Sequence, residues 1–176
     1  DVETLKQSME ARTEIIDKNG QSAGAMYGQK GTTVKFNEIS DNLKNAVIAT
    51  EDRSFYDNNG INFKRTLLAV VTLGKFGGGS TITQQLAKNA FLSQKQTVDR
   101  KAKELFLALE INKKYDKKDI LTMYLNNSYF GNGIWGIQDA SLKYYGKSAK
   151  DLSIEEAATL AGILKWPEVY NPLYKE

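Results

Sequence analysis

Apolar residues along most of this chain recur every three or four positions, the spacing of one face of a helix, and only the N-terminal stretch departs from it. There, residues 12–17 and 21–27 flank Asn19-Gly20, and Asn-Gly between short apolar runs predicts a hairpin. Ser40 or Asp41 can cap a helix carrying Leu43, Ala46, Val47 and Thr50. Residues 63–76 contain an apolar run at 67–71 and are broken by the glycines 77–79. Ser80 or Thr81 then starts another helix, and Thr81 with Gln84 fits a capping box. A longer helix is predicted at about Val98–Lys114, with Val98, Ala102, Leu105 and Leu109 on its inward stripe. Asp116 can cap residues 117–127, Gly131, Gly133 and Gly136 form a loop, and a short helix ends near Gly146. Ser153 with Glu156 reads as a second capping box, opening a helix at Ile154–Lys165 that stops at Pro167. The predicted fold class is mainly α: one helical domain with a small N-terminal β-hairpin.

Composition narrows this picture. The 176 residues, 41% hydrophobic, suffice for one domain with a core. No run of 18 or more apolar residues is present, the length a membrane-spanning helix needs. Opening on Asp1 without Met and ending on a polar stretch, the chain reads as a piece of a longer protein. It has no His and no Cys, which removes disulfides, the usual structural zinc sites, Cys nucleophiles and every Ser-His-Asp arrangement. Acid–base chemistry near neutral pH therefore falls to Asp, Glu, Lys or Tyr. The net charge of +3 permits an anionic partner without demanding nucleic acid.

Three features carry candidate chemistry. Glu51 falls on the stripe of Leu43 and Val47 at the C-terminal end of its helix. A carboxylate there meets the negative end of the helix dipole and loses hydration; both favour the protonated acid, as suits a general base. The alternative is a helix-end Glu that turns to solvent or pairs with Arg53. Asp52 lies about 100° further round, off the stripe. The second feature is Gly77-Gly78-Gly79-Ser80-Thr81, a glycine loop feeding a helix N-terminus, which offers backbone N–H groups to a phosphate; an ordinary capped turn reads equally well. Lys88, Lys95, Arg100 and Lys101 add positive charge nearby in sequence. The third is Glu104, three and four residues after Lys101 and Arg100, where a surface ion pair is the plainer reading. Tyr124, Tyr129, Phe130, Trp135, Tyr144 and Tyr145 suit either sugar stacking or core packing.

Taken in order, these segments resemble the peptidoglycan glycosyltransferases, glycosyltransferase family 51, of class A penicillin-binding proteins and their monofunctional relatives. Ala49-Thr50-Glu51-Asp52-Arg53-Ser54-Phe55-Tyr56 with Gly60-Ile61 resembles the family's first motif, and Gly78-Gly79-Ser80-Thr81-Ile82-Thr83-Gln84-Gln85-Leu86-Ala87-Lys88-Asn89 its second. Arg100-Lys101-Ala102-Lys103-Glu104 resembles the third. Residues 120–126 with Tyr129-Phe130-Gly131, then 157–162 with Pro167 and Tyr170-Asn171-Pro172, continue the pattern. Asn58-Asn59-Gly60 stands where members often carry a His before the Gly, and Lys95-Gln96 replaces an Arg that some members place near the phosphates. Glu51 and Glu104 are also a few residues closer in sequence than is usual there.

The resemblance implies a lysozyme-like helical domain over residues 1–176, with a transmembrane anchor before it and further protein after it. It implies polymerisation of lipid II into β-1,4-linked glycan at the extracytoplasmic face of the bacterial plasma membrane. Glu51 and Glu104 are implied as catalytic. Asp52, Phe55, Ser80, Thr83, Gln84, Gln85, Lys88, Arg100, Lys101 and Tyr129 are implied as substrate-binding. Implied partners are lipid II, the growing lipid-linked chain, the membrane through residues 61–76, and moenomycin as inhibitor; nucleic acid is not among them. No cofactor or bound metal is required, although a divalent cation (Mg or Mn) is compatible with the pyrophosphate. A lysozyme-like hydrolase is the competing enzymatic reading, and a non-enzymatic helical module for anionic lipid or nucleic acid the competing binding one. The Gly-rich anion site favours the transferase, because a hydrolase of plain glycan has no pyrophosphate to hold.

Overall fold

The computed structural model describes residues 12–16, 22–27, 31–71, 79–91 and 98–165, with side chains from 31 onward except 69–70, 90–91 and 98–100. Its strands β1 (Arg12–Ile16) and β2 (Ser22–Tyr27) pair antiparallel. The turn expected at Asn19-Gly20 lies outside the described residues.

From residue 31 onward the described structure is mainly helical. Helix α1 (Asp41–Glu51) starts at Ser40, whose Oγ accepts the Leu43 N–H at 3.4 Å. Helix α2 (Phe63–Val71) follows; the part expected beyond Val71 lies outside the described residues. Helix α3 (Ile82–Phe91) opens on the expected capping box: Gln84 N–H donates to Thr81 Oγ1 at 3.1 Å, and Thr81 N–H to Gln84 Oε1 at 2.9 Å. After α4 (Val98–Lys114), Asp116 caps α5 (Lys117–Asn126) through Asp119 N–H at 2.8 Å. Helix α6 (Ile137–Tyr145) ends on Gly146 in the left-handed conformation, and α7 (Ile154–Lys165) is the last described element.

Ile120, Leu121, Tyr124 and Leu125 of α5 share one buried core cluster with Val47 of α1, Leu86 of α3, Ile111 of α4 and Leu160 of α7. Helix α1 packs along α7, and α3 lies against both α4 and α5. Gly60, at φ +97°, brings the loop after α1 onto the backbone of α4; a Cβ there would sit 2.6 Å from the Ala108 carbonyl oxygen. Among the described residues no helix is long and apolar enough to cross a membrane.

Two expectations need correction. Among the described side chains the inward stripe of α4 is Glu104, Ala108 and Ile111, while Ala102 is exposed and Leu105 and Leu109 are half-buried; the side chain of Val98 lies outside the described residues. A charged residue sits on the true stripe, so the apolar repeat is displaced by one position. The second capping box is half formed. Glu156 N–H donates to Ser153 Oγ at 3.2 Å, but the Glu156 carboxylate turns to Lys147 Nζ at 2.8 Å.

Candidate active site

Glu51 ends α1, and its carboxylate points across to α3. Gln85 Nε2 donates to Glu51 Oε2 at 3.0 Å, and Tyr124 of α5 donates its hydroxyl to Gln85 Oε1 at 2.9 Å. Among the described residues, the buried Glu51 Oε1 has no hydrogen-bond partner. Arg53 does not take up Glu51; its Nε donates to the Ala49 carbonyl. Arg65 of α2 donates instead to the Glu51 backbone carbonyl at 2.9 Å. The base candidate is therefore held at one oxygen and at its backbone, with the other oxygen unpartnered among the described residues.

Tyr124 is 1% exposed. Burial, and then the charge of Glu51, pushes its hydroxyl well above the ordinary value near 10. It keeps its proton in the fold, so stability held below about pH 10 is lost above it, where the unfolded chain ionises. In an alkaline titration followed by phenolate absorbance, Tyr124→Phe should remove no signal from the folded protein and one tyrosine's signal from the unfolded one. Loss of phenolate absorbance already in the folded state would contradict this.

Asp52 is the joint beneath Glu51. It leaves helical geometry at φ −156°, and its carboxylate turns inward and is fully buried. Its oxygens accept from Ser54 Oγ at 3.2 Å, from Asn58 Nδ2 at 3.1 Å and from Ile82 N–H at 3.2 Å, with Arg65 Nη1 at 4.0 Å. In the segment where family members often carry a His, Asn58 makes this contact. Asn58 also accepts from Lys117 Nζ through its carbonyl at 2.7 Å. Phe55 is fully buried beneath the same loop, with Lys117 Nζ 4.9 Å from its ring centre. Asp52 and Phe55 thus position the end of α1 and present no surface to a ligand.

The α3 N-terminus is more occupied than a bare anion site. The N–H groups of Thr81, Ile82 and Gln84 bond to Gln84 Oε1, Asp52 and Thr81 Oγ1. Thr83 and Gln84 are fully buried, though Thr83 Oγ1 and Gln84 Nε2 lack partners among the described residues. The charge beside this end comes from α4: Lys101 Nζ lies 3.2 Å from Ser80 Oγ and 2.6 Å from Glu104 Oε1. Glu104 is only 4% exposed, so it is no surface ion pair. Lys88 is exposed one turn beyond Gln85. Gly77, Gly78, Lys95 and the Arg100 side chain lie outside what is described.

Two groups meet the α3 segment: Glu51 with Gln85, and Lys101 with Ser80 and Glu104. Tyr129 makes its contacts elsewhere. Its ring packs on Trp135 at 5.0 Å between centres, and its hydroxyl accepts the Gly133 N–H at 3.1 Å. An open pocket of about 780 Å³ lined by Gly31, Trp135, Asp139, Leu142 and Lys143 contains none of the five. Sequence reading missed the bonds of Tyr124 and Arg65. The available signal was a hydroxyl on the inward line of α5, four residues after Ile120, where a buried polar group needs a partner.

The transglycosylase family model matches residues 19–176. The chain is 66% identical over 98% of its length to penicillin-binding protein 2a of Streptococcus pneumoniae. It is 43% identical over 98% to penicillin-binding protein 1F of Bacillus subtilis, and 42% identical over 92% to penicillin-binding protein 1A of Aquifex aeolicus. It spans 24%, 25% and 23% of those proteins' lengths. The family match runs through Glu51, α3 and Glu104, and the chain belongs to the transglycosylase family.

Proposed function

We propose that this chain, on a lysozyme-like helical frame, polymerises lipid II into β-1,4-linked glycan by inverting transfer. The observation that carries the reading is the buried Glu51 Oε1, unpartnered among the described residues, on a carboxylate that Gln85 of α3 holds by its other oxygen, with Lys101 meeting Ser80 ahead of the same helix. Glu51 takes the proton of the acceptor sugar 4-hydroxyl. That oxygen attacks the donor anomeric carbon, and the bond from this carbon to phosphate breaks with its electron pair leaving on the lipid pyrophosphate. Lys101, with Lys88 and Arg100, meets the charge that develops there. Glu104 holds the Lys101 ammonium by a charge-assisted bond, and the same cations suit the phosphate of moenomycin. The reading requires no cofactor. A divalent cation would ride on the substrate's own phosphates, since among the described residues no three acidic side chains gather. Incubation with purified lipid II and sizing of the product tests the proposal: longer chains support it, whereas cleavage of preformed glycan without chain growth favours the hydrolase.

Association with the extracytoplasmic membrane surface is part of the same proposal. Phe63, Leu67 and Val71, four residues apart on α2, are 70%, 65% and 72% exposed, and Leu68 beside them is 51% exposed. An apolar ridge of this kind suits the lipid boundary next to a substrate with a polyprenyl tail. Replacing Leu68 and Val71 together by Ser should weaken liposome association and turnover of long-chain lipid II at an unchanged melting temperature. Unchanged liposome binding by the double variant would count against the ridge.

A further inference from the structure

We propose that Tyr124 is a positioning residue for the base, its hydroxyl fixing the Gln85 amide in the one orientation that holds Glu51. The inference rests on the reading of Glu51 as base. An ionised carboxylate only accepts hydrogen bonds, so the Gln85 atom 3.0 Å from Glu51 Oε2 must be the NH₂. The amide oxygen then faces Tyr124, which must donate, and the 2.9 Å contact fits that direction. The raised Tyr124 hydroxyl stays protonated and remains a donor. Without it, the amide can turn its oxygen toward the carboxylate. Repulsion would swing Glu51 away and move the buried Oε1 out of line with the acceptor hydroxyl. Tyr124 is fully enclosed and linked to Glu51 only through Gln85 in this chain of bonds, so it acts on the reaction without touching substrate.

The test is steady-state polymerisation of lipid II by the full-length protein carrying Tyr124→Phe, Gln85→Leu, both, or Glu51→Gln. Tyr124→Phe should lower kcat by about tenfold to a hundredfold, the scale of a misplaced reacting group, and leave KM unchanged. The double variant should be no slower than Gln85→Leu alone, because the hydroxyl acts only through the amide. Wild-type kcat in a folded Tyr124→Phe protein overturns the inference, and so do effects that multiply in the double variant, as loss of packing would produce. Should Tyr124→Phe fail to fold, Gln85→Leu carries the test from the other side, and wild-type kcat there equally overturns it. An active Glu51→Gln protein removes the base assignment itself. An inactive one beside a fully active Tyr124→Phe removes only the role of Tyr124.

Discussion

Glu51→Gln is expected to leave a folded protein whose polymerisation of lipid II falls by at least about 10²–10⁴-fold, the usual contribution of a positioned base. The change keeps the side chain's size and removes its capacity to take a proton. The supports of this residue tolerate it: Arg65 bonds the backbone carbonyl, and Gln85 Nε2 can still donate to an amide oxygen. No buried charge is stranded and no cavity opens, so the melting temperature should stay close to wild type. Product sizing reads the activity, and thermal denaturation the fold. A well-folded variant that extends chains at near wild-type rate would refute the base.

Asp52→Ala is expected to cost about 3 kcal/mol or more of stability, read as a lowered urea midpoint at unchanged slope. Three donors lose a shared acceptor inside the fold: the Ser54 hydroxyl, the Asn58 amide and the Ile82 N–H. Arg65 is partly exposed and can return to water, but the Ile82 N–H at the start of α3 has no such route. Asp52→Asn keeps an acceptor and should recover part of the loss. Because Asp52 ties the end of α1 to the start of α3, its removal should also loosen Glu51 against Gln85, so activity falls even where the protein remains folded. A midpoint equal to wild type would mean these bonds contribute nothing net.

The residues legible in advance were those governed by local rules. Ser40, Thr81 and Asp116 cap their helices as their side chains dictate, and Gly146 stops α6 as a residue tolerant of positive φ. Glu51 reads correctly as a helix-end carboxylate because α1 is regular up to that point. Asp52 does not, because extrapolating a further 100° assumes the helix continues, whereas the chain extends and turns the carboxylate inward. Glu104 is misjudged for a related reason: reading stripes by apolarity rejects a true inward position when it carries charge. The link from Tyr124 to Gln85 spans 39 residues and depends on how α3 meets α5, which no local periodicity encodes.

The pairing of α1 with α7 has a consequence for synthesis. Ser40 donates through its Oγ to the Leu152 carbonyl, 112 residues later, and its N–H bonds the Ala149 carbonyl. At ordinary translation rates the Leu152 end emerges on the order of ten seconds after Ser40. Throughout that interval the inward face of α1, with Leu43 and Val47, has no partner from α7. Contacts this distant in sequence slow folding and prolong exposure of apolar surface. The helix that carries the candidate base is thus made early and locked late, and its nascent form is the stage at which a holdase chaperone would find the most to bind.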